Sequence, residues 1–298
     1  MAISERQLET WSHQGSVQQS AATYEAIRRV LKDPRSPYAN RDFKVFLQGS
    51  YGNDTNVWSE SDVDIAICLS SVFYTDTSGL SADEQQRYDQ NRSPAEYSLK
   101  QFKEEVTQWL RQHFGDGVTP GNKAIAVPGG NSRRDADVLA CSEHRRYYSY
   151  PAYGQPGFHE GICFWTSRGS KIVNYPHQHM SNCTSMHQAT SSRFKPNVRV
   201  LKNMRNAMIV DGFLEDGVAP SYFVEGMLYN VPNDQFVWAH QQTVENALAW
   251  LERCNVPDLL CANERYYLVR EGSDVCWNNE DFHRTLTSMR RYWNSSRR

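Results

Sequence analysis

Between Gln48 and Leu69 the chain reads Q-G-S-Y-G-N-D-T-N-V-W-S-E-S-D-V-D-I-A-I-C-L, a Gly-Ser turn followed by two aspartates that flank one valine. Alternation along a strand puts residues i and i+2 on one face, so Asp62 and Asp64 point the same way while Val63 and Ile65 point into a core. The apolar run Ile65-Ala66-Ile67-Cys68-Leu69 carries that strand inward. Two parallel carboxylates repel each other unless a cation sits between them. Magnesium meets that need, because it binds carboxylate oxygens and completes its shell with waters and substrate phosphates. Upstream, Gly49 permits close backbone approach, and Ser50 adds a hydroxyl and N–H groups suited to a triphosphate tail. An isolated Asp-x-Asp is common on solvated loops. The adjoining core strand and the Gly-Ser turn set this one apart, and together they point to nucleotidyl transfer.

The 298 residues suffice for two lobes with a sizeable core. Hydrophobic content of 39% and aromatic content of 12% exclude a disordered chain. No apolar stretch approaches the length of a bilayer span, and Met1-Ala2-Ile3-Ser4-Glu5-Arg6 lacks a signal peptide's apolar region, so the expected compartment is the cytoplasm. Seven cysteines between Cys68 and Cys276 suit reduced thiols better than a disulfide framework. Enzymes that grip long nucleic acid carry a basic surface, whereas the net charge here is −2, which favours small nucleotides over a polymer substrate.

Helical spacing predicts one long helix from Glu5 to Lys32, ended by Asp33-Pro34-Arg35-Ser36-Pro37. Strands are expected over Phe43–Leu47 and Val63–Leu69. An exposed insertion or loop is expected over Thr75–Ser98, an amphipathic helix over Lys100–Phe114, and a short strand over Ala124–Val127 leading into the turn Pro128-Gly129-Gly130-Asn131. Next comes Asp135-Ala136-Asp137-Val138-Leu139-Ala140-Cys141, another acidic entry to an apolar strand. Asp137 is the candidate third metal ligand because it abuts Val138 and Leu139, whereas Asp135 follows Arg133 and Arg134 at the strand's mouth. Gly161–Thr166 and Lys171–Tyr175 form a predicted hairpin.

Beyond His177 the pattern is helical. Ser191 or Ser192 is the expected cap of a helix that carries Pro196 early, with Lys195, Arg199 and Lys202 on one face as a candidate phosphate clamp and Val198, Leu201, Met204 and Met208 on another. Ala219–Pro232 reads as a further helix. Ser221 sits in its first turn, where free N–H groups attract phosphate, and Tyr222 beside it can stack on a base; a capping serine and a core tyrosine are the plainer alternatives. Gln241–Tyr292 reads as two or three helices with Trp250 and Trp277 in the core. His177, His179, Cys183 and His187 offer four zinc-type ligands within eleven residues, at spacings that match no compact finger.

Gln48-Gly49-Ser50-Tyr51, Asn53-Asp54-Thr55-Asn56 and Ser61-Asp62-Val63-Asp64-Ile65 resemble the bacterial cGAS/DncV-like nucleotidyltransferases, and Ala136-Asp137-Val138 resembles their third-aspartate strand. Glu160-Gly161-Ile162, Val173-Asn174-Tyr175-Pro176, Phe194-Lys195, Val198-Arg199, Leu201-Lys202-Asn203 and Ser221-Tyr222-Phe223-Val224-Glu225 resemble the clade E branch, which makes cyclic dinucleotides, often containing uracil. The resemblance implies an α+β fold: a polymerase β-like nucleotidyltransferase core with a mixed sheet over residues 1–180 and a C-terminal helical lobe over 181–298 that completes the nucleotide cleft. It further implies that Asp62, Asp64 and Asp137 bind two Mg²⁺ ions, with Mn²⁺ able to substitute, and that Asp137 assists deprotonation of the attacking hydroxyl. Gln48, Gly49 and Ser50 would hold the donor triphosphate, Lys202 and Ser221 would contact phosphates with Lys195 and Arg199 as additional contacts, Tyr222 would stack on the donor base, and Asn174 would read a pyrimidine edge. His179 and Cys183 fall where relatives have a variable loop.

The implied reaction joins two nucleoside triphosphates, with UTP paired with UTP or ATP, releases pyrophosphate, and serves anti-phage (CBASS) signalling through a downstream effector that senses the product. No nucleic acid activator and no membrane are implied. Leu139-Ala140 stands where relatives often have Val-Pro, and the terminal Arg298 gives no support for conjugation through a small terminal residue. The rival expectations are a terminal nucleotidyltransferase acting on RNA or another acceptor, and a nucleotide-binding or zinc-dependent interaction protein without turnover.

Overall fold

The computed structural model describes residues 3–15, 17–58, 62–130 and 133–295; Met1, Ala2, Ser61, Asn131 and Arg298, named above, lie outside them. In chain order the elements are α1 (Glu5–Ser12), α2 (Val17–Leu31), β1 (Phe43–Leu47), α3 (Gly49–Gly52), β2 (Val63–Asp76), α4 (Ala82–Asn91), α5 (Leu99–Phe114), β3 (Thr119–Pro120), β4 (Ile125–Val127), β5 (Ala136–Ser149), β6 (Gly157–Trp165) and β7 (Lys171–Asn174). After them come α6 (Pro176–Ala189), α7 (Phe194–Val210), α8 (Ser221–Tyr229), α9 (His240–Leu251) and α10 (Asn279–Ser295).

The single N-terminal helix expected from periodicity is two helices. Ser4 caps α1 through Gln7 N, and the chain leaves the helix at His13, whose backbone is extended (φ −77°, ψ 148°). Gly15 explains the break. Its N–H donates to Asn56 O at 3.1 Å, and a Cβ there would stand 2.9 Å from both the carbonyl carbon and oxygen of Val57. The apolar stripe runs on across the gap because α1 and α2 each bury one face, so periodicity alone hides the interruption.

Two compact units partition the chain: Gln18–Gln48 with Asp62–Tyr175, and Met1–Val17 with Gly49–Ser61 and Pro176–Arg298. The expected division at residue 180 was contiguous, and these units are not. α1 joins the helical unit because Leu8 is wholly buried among α7–α10 side chains.

The first unit is built on a seven-stranded sheet of order β1-β2-β5-β4-β3, with β6 pairing β5 and β7 pairing β6. β2 and β5 run parallel and every other pair is antiparallel. The central position of β2 accounts for its unbroken apolar run, since Ile65, Ala66, Ile67 and Leu69 are all fully buried. α5 covers the sheet with Phe102, Val106 and Leu110, and Trp109 Nε1 donates to Val30 O at 2.9 Å, fastening it to α2. The polar stretch expected as a loop contains α4. Ser81 and Glu84 close a capping box at its start, and although none of its residues is fully buried, Tyr88 packs against Tyr147 and Tyr150 on the sheet side.

The helical unit packs around α7, with Phe194, Val198, Leu201 and Met204 meeting Val224 and Met227 of α8, Leu248 of α9 and Phe282 of α10. Thr190 Oγ1, not Ser191 or Ser192, caps α7 by accepting from Phe194 N at 2.9 Å. Both serines adopt left-handed backbone angles (φ 50° and 65°) that turn the chain between α6 and α7. Trp277 lies in the core, stacked on Phe223 at 5.4 Å with its Nε1 donating to Val218 O, while Trp250 is half-buried. All seven cysteines are free thiols. Among the described residues no helix is long and apolar enough to cross a membrane.

Candidate functional site

In the sheet unit, the parallel pairing of β2 with β5 sets Asp64 directly opposite Asp137, between the buried pairs Val63–Ala136 and Ile65–Val138. Strand alternation therefore turns both carboxylates to one face. Asp62 immediately precedes β2 and is exposed. Partial burial first, then the charge of Asp62, raises the Asp137 carboxyl above its ordinary value. Carboxylates clustered in this way form a donor set suited to a hard divalent cation. Asp135 is exposed and serves the backbone instead, its Oδ1 accepting from Gly129 N at 2.6 Å to close the turn after β4.

Gln48 N donates to Asp64 O at 3.1 Å, so the chain leaves β1 beside the second aspartate. Asn174 ends β7 opposite Ile162, half-buried, with its carbonyl oxygen 2.7 Å from where a Cβ on Gly161 would stand. Gly161 thus allows β7 to lie close over β6.

In the helical unit, Gly49 takes φ 62°, a left-handed angle that glycine adopts at no steric cost, and starts the single turn α3 that carries Ser50. A four-residue helix has no stability of its own. What holds it is the segment that follows. Asn53 N donates to Gly49 O at 3.2 Å and Thr55 N to Ser50 O at 2.9 Å, and Asp54 adopts φ 57°.

The basic stripe of α7 grips that same segment. Lys195 Nζ bonds Asp54 Oδ2 at 3.0 Å, Arg199 donates to the carbonyls of Asp54 and Ser12, and Lys202 Nζ donates to Thr55 O at 2.9 Å. All three are buried, Lys202 entirely. Burial pushes the Arg199 guanidinium down to about 10. The stripe is therefore not a solvated face: it is buried against the chain after the Gly-Ser turn. One turn further on, Arg205 donates to Ala219 O and to Ser221 Oγ at 3.1 Å, fixing the first turn of α8. Tyr222 stacks on His179 at 5.1 Å and 25°, and its hydroxyl accepts from Asn263 Nδ2 at 3.0 Å.

His179 and Cys183 lie on α6, a helix rather than the variable loop implied by resemblance. With Glu225 of α8 they place three ligand-type atoms within 4.8 Å of one another, all buried. The four-residue zinc set is not gathered: His177 is exposed, and His187 Nδ1 accepts from Lys195 N at 3.4 Å. His179 Nε2 lies 2.8 Å from Glu225 Oε2, a hydrogen bond with no room for an ion between them. Burial drives the Cys183 thiol upward. Within the group, His179 and Glu225 form a hydrogen-bonded pair beside Cys183. Sequence reasoning assigned no role to Asn53, Thr55, Arg205 or Glu225; the first three could have been found from their place beside the Gly-Ser turn and at the next step of the basic stripe.

A mixed sheet with aspartates paired across its central parallel strands, a Gly-Ser turn leaving the edge strand, and a helical unit built on α7 define a nucleotidyltransferase. The chain belongs to the cGAS/DncV-like nucleotidyltransferases of CdnE type. Residues 181–294 match the family's C-terminal helical domain. The chain is 34% identical over 295 residues to the cyclic UMP-AMP synthase of Rhodothermus marinus, covering 98% of each chain. It is 32% identical over 292 residues to the cyclic dipurine nucleotide synthase of Elizabethkingia meningoseptica, covering 93% of this chain and 98% of that one. The solved structure of the Rhodothermus marinus CdnE c-UMP-AMP synthase with Apcpp and Upnpp superposes with a TM-score of 0.87 at 33% identity, over 98% of this chain and 97% of that one.

Proposed function

We propose that this protein is a cyclic dinucleotide synthase that joins two nucleoside triphosphates in two successive transfers, releasing pyrophosphate each time. The observation that carries the reading is the Asp64–Asp137 pair across β2 and β5, with Asp62 immediately before β2. Asp62, Asp64 and Asp137 would hold two Mg²⁺ ions, with Mn²⁺ able to substitute; bound there, the metal supplies charge neutralisation for the triphosphate and activates the attacking hydroxyl. Asp137, beside the attacking hydroxyl, would assist its deprotonation. Gln48, Gly49 and Ser50 hold the donor triphosphate, Gly49 and Ser50 through backbone N–H groups and the serine hydroxyl. Ser221, oriented by Arg205, adds a phosphate contact at the start of α8, and Tyr222, backed by His179, stacks on the donor base. Lys195, Arg199 and Lys202 act through the segment they anchor. Positioning and charge stabilisation carry the catalysis.

Asn174 presents an amide able to donate to and accept from a pyrimidine edge, which supports UTP as one substrate with UTP or ATP as the other. Similarity alone does not carry the base pair, since relatives at 34% and 32% identity are named for a UMP-AMP and a dipurine product. The product acts as a second messenger in bacterial anti-phage (CBASS) signalling, sensed by a downstream effector, and the enzyme works in the cytoplasm without a nucleic acid activator. The test compares wild type with Asp62→Asn combined with Asp64→Asn: the double variant folds and makes no product, and wild-type turnover in that variant would remove these aspartates from the reaction.

A further inference from the structure

Among the described residues, the most densely bonded buried carboxylate is one that the proposed chemistry does not use. Glu225 is 2% exposed, on α8 one turn beyond Ser221 and Tyr222. It accepts from the Thr55 hydroxyl, from Asn53 Nδ2 at 3.4 Å and from His179 Nε2 at 2.8 Å, and Lys202 Nζ lies 3.9 Å from its Oε1. Apolar packing would fill the same space at no electrostatic cost, so a charge retained there calls for a role.

Its partners define that role. Asn53 and Thr55 belong to the segment whose N–H groups bond Gly49 O and Ser50 O, and which therefore fixes the orientation of the Gly-Ser peptide. His179, held by the carboxylate on one edge, lies flat beneath Tyr222. A single carboxylate thus ties the turn assigned to the triphosphate to the ring assigned to the base.

We propose that Glu225 is a positioning residue for donor-nucleotide binding: by holding Thr55 and Asn53 on one side and His179 on the other, it sets the Gly49–Ser50 turn and the Tyr222 ring in register with each other. This rests on the proposed assignment of those two elements to the donor nucleotide. Displacements of about 1 Å in a positioning shell cost up to roughly a hundredfold in rate, so an effect well above tenfold is within reach of this network.

Glu225→Gln takes the counter-charge from Lys202 and costs stability, so the discriminating variants sit at Thr55. Thr55→Val removes only the hydroxyl that faces the carboxylate, and Thr55→Ser keeps it. The experiment measures equilibrium binding of a non-hydrolysable nucleoside triphosphate with Mg²⁺, steady-state turnover and the thermal transition for all three proteins. The expected result is at least about a tenfold loss of affinity and turnover in Thr55→Val with a folded protein, and recovery in Thr55→Ser. Wild-type binding and turnover in Thr55→Val, or equal losses in both variants, would overturn the proposal. If the wild-type protein forms no cyclic product, the activity reading fails, and the binding measurement by itself decides the positioning role.

Discussion

Replacing Lys202 by methionine perturbs the most deeply buried cation in the helical unit. Its side chain is wholly buried, with Nζ 2.9 Å from Thr55 O and 3.9 Å from Glu225 Oε1. At an effective dielectric constant of about 20, two unit charges at such a separation attract by about 4 kcal/mol. Removing the ammonium also removes its desolvation penalty of several kcal/mol, so these two contributions largely cancel. What remains is the cost of what Lys202→Met strands: a buried carbonyl without its donor, about 1–3 kcal/mol, and a buried carboxylate reduced to its hydrogen bonds with Thr55, Asn53 and His179. The expected loss is about 3–5 kcal/mol. For a chain of this size that lowers the thermal transition by roughly 6–10 °C, read by circular dichroism and by chemical denaturation. The sign of coupling is the sharper check. Adding Glu225→Gln removes the stranded charge, so the double variant is more stable than the sum of the two single effects by at least about 1 kcal/mol. A Lys202→Met protein within about 1 kcal/mol of wild type, or strictly additive effects, would refute the view that this pair is a mutually dependent buried network.

Gly15→Ala places a methyl against the backbone of Val57, which cannot yield as a flexible side chain would; the expected cost is about 1–3 kcal/mol, measured by denaturant unfolding, and a neutral substitution would contradict the close approach. His144 is buried on β5, and burial, then the charge of Lys171, pushes its pKa down from 6.5 to about 4. The unfolded chain therefore binds a proton that the native chain does not as pH falls from 6.5 toward 4, and stability falls with it by up to about 1.4 kcal/mol per pH unit. His144→Gln flattens that slope, and an unchanged slope in the variant would remove His144 as its source. Asn174→Ser, assayed with mixed nucleotides, shifts base preference; an unaltered product distribution would take Asn174 out of substrate selection.

The strand placement of the candidate carboxylates was legible because period-two alternation and local acidity encode it directly: Asp64 and Asp137 fall on the expected strands, and the parallel register sets them opposite each other. The Gly-Ser turn, α5, the β6–β7 hairpin and the core position of Trp277 were legible for similar local reasons. The break between α1 and α2 was not, because it depends on Gly15 meeting Val57, which is remote in sequence. α4 was missed because it carries no apolar stripe and docks through Tyr88 on Tyr147 and Tyr150, which are remote in sequence. The basic face of α7 was legible as a stripe but not as an anchor, since Asp54 and Thr55 reach it only through the tertiary fold. His179 and Cys183 suggested a metal by residue type, at spacings that match no compact finger. Glu225, 46 residues beyond His179, hydrogen-bonds that imidazole, a partner that spacing along the chain does not reveal.

The central claim is tested most directly by incubating the purified protein with ATP, UTP, CTP and GTP in the presence of Mg²⁺ or Mn²⁺, treating the products with phosphatase, and identifying what survives by mass spectrometry. A cyclic dinucleotide synthase of this kind leaves a phosphatase-resistant cyclic dinucleotide containing at least one pyrimidine, absent from the Asp62→Asn, Asp64→Asn protein. Linear products alone, elongated RNA, or no turnover with any nucleotide would contradict that assignment.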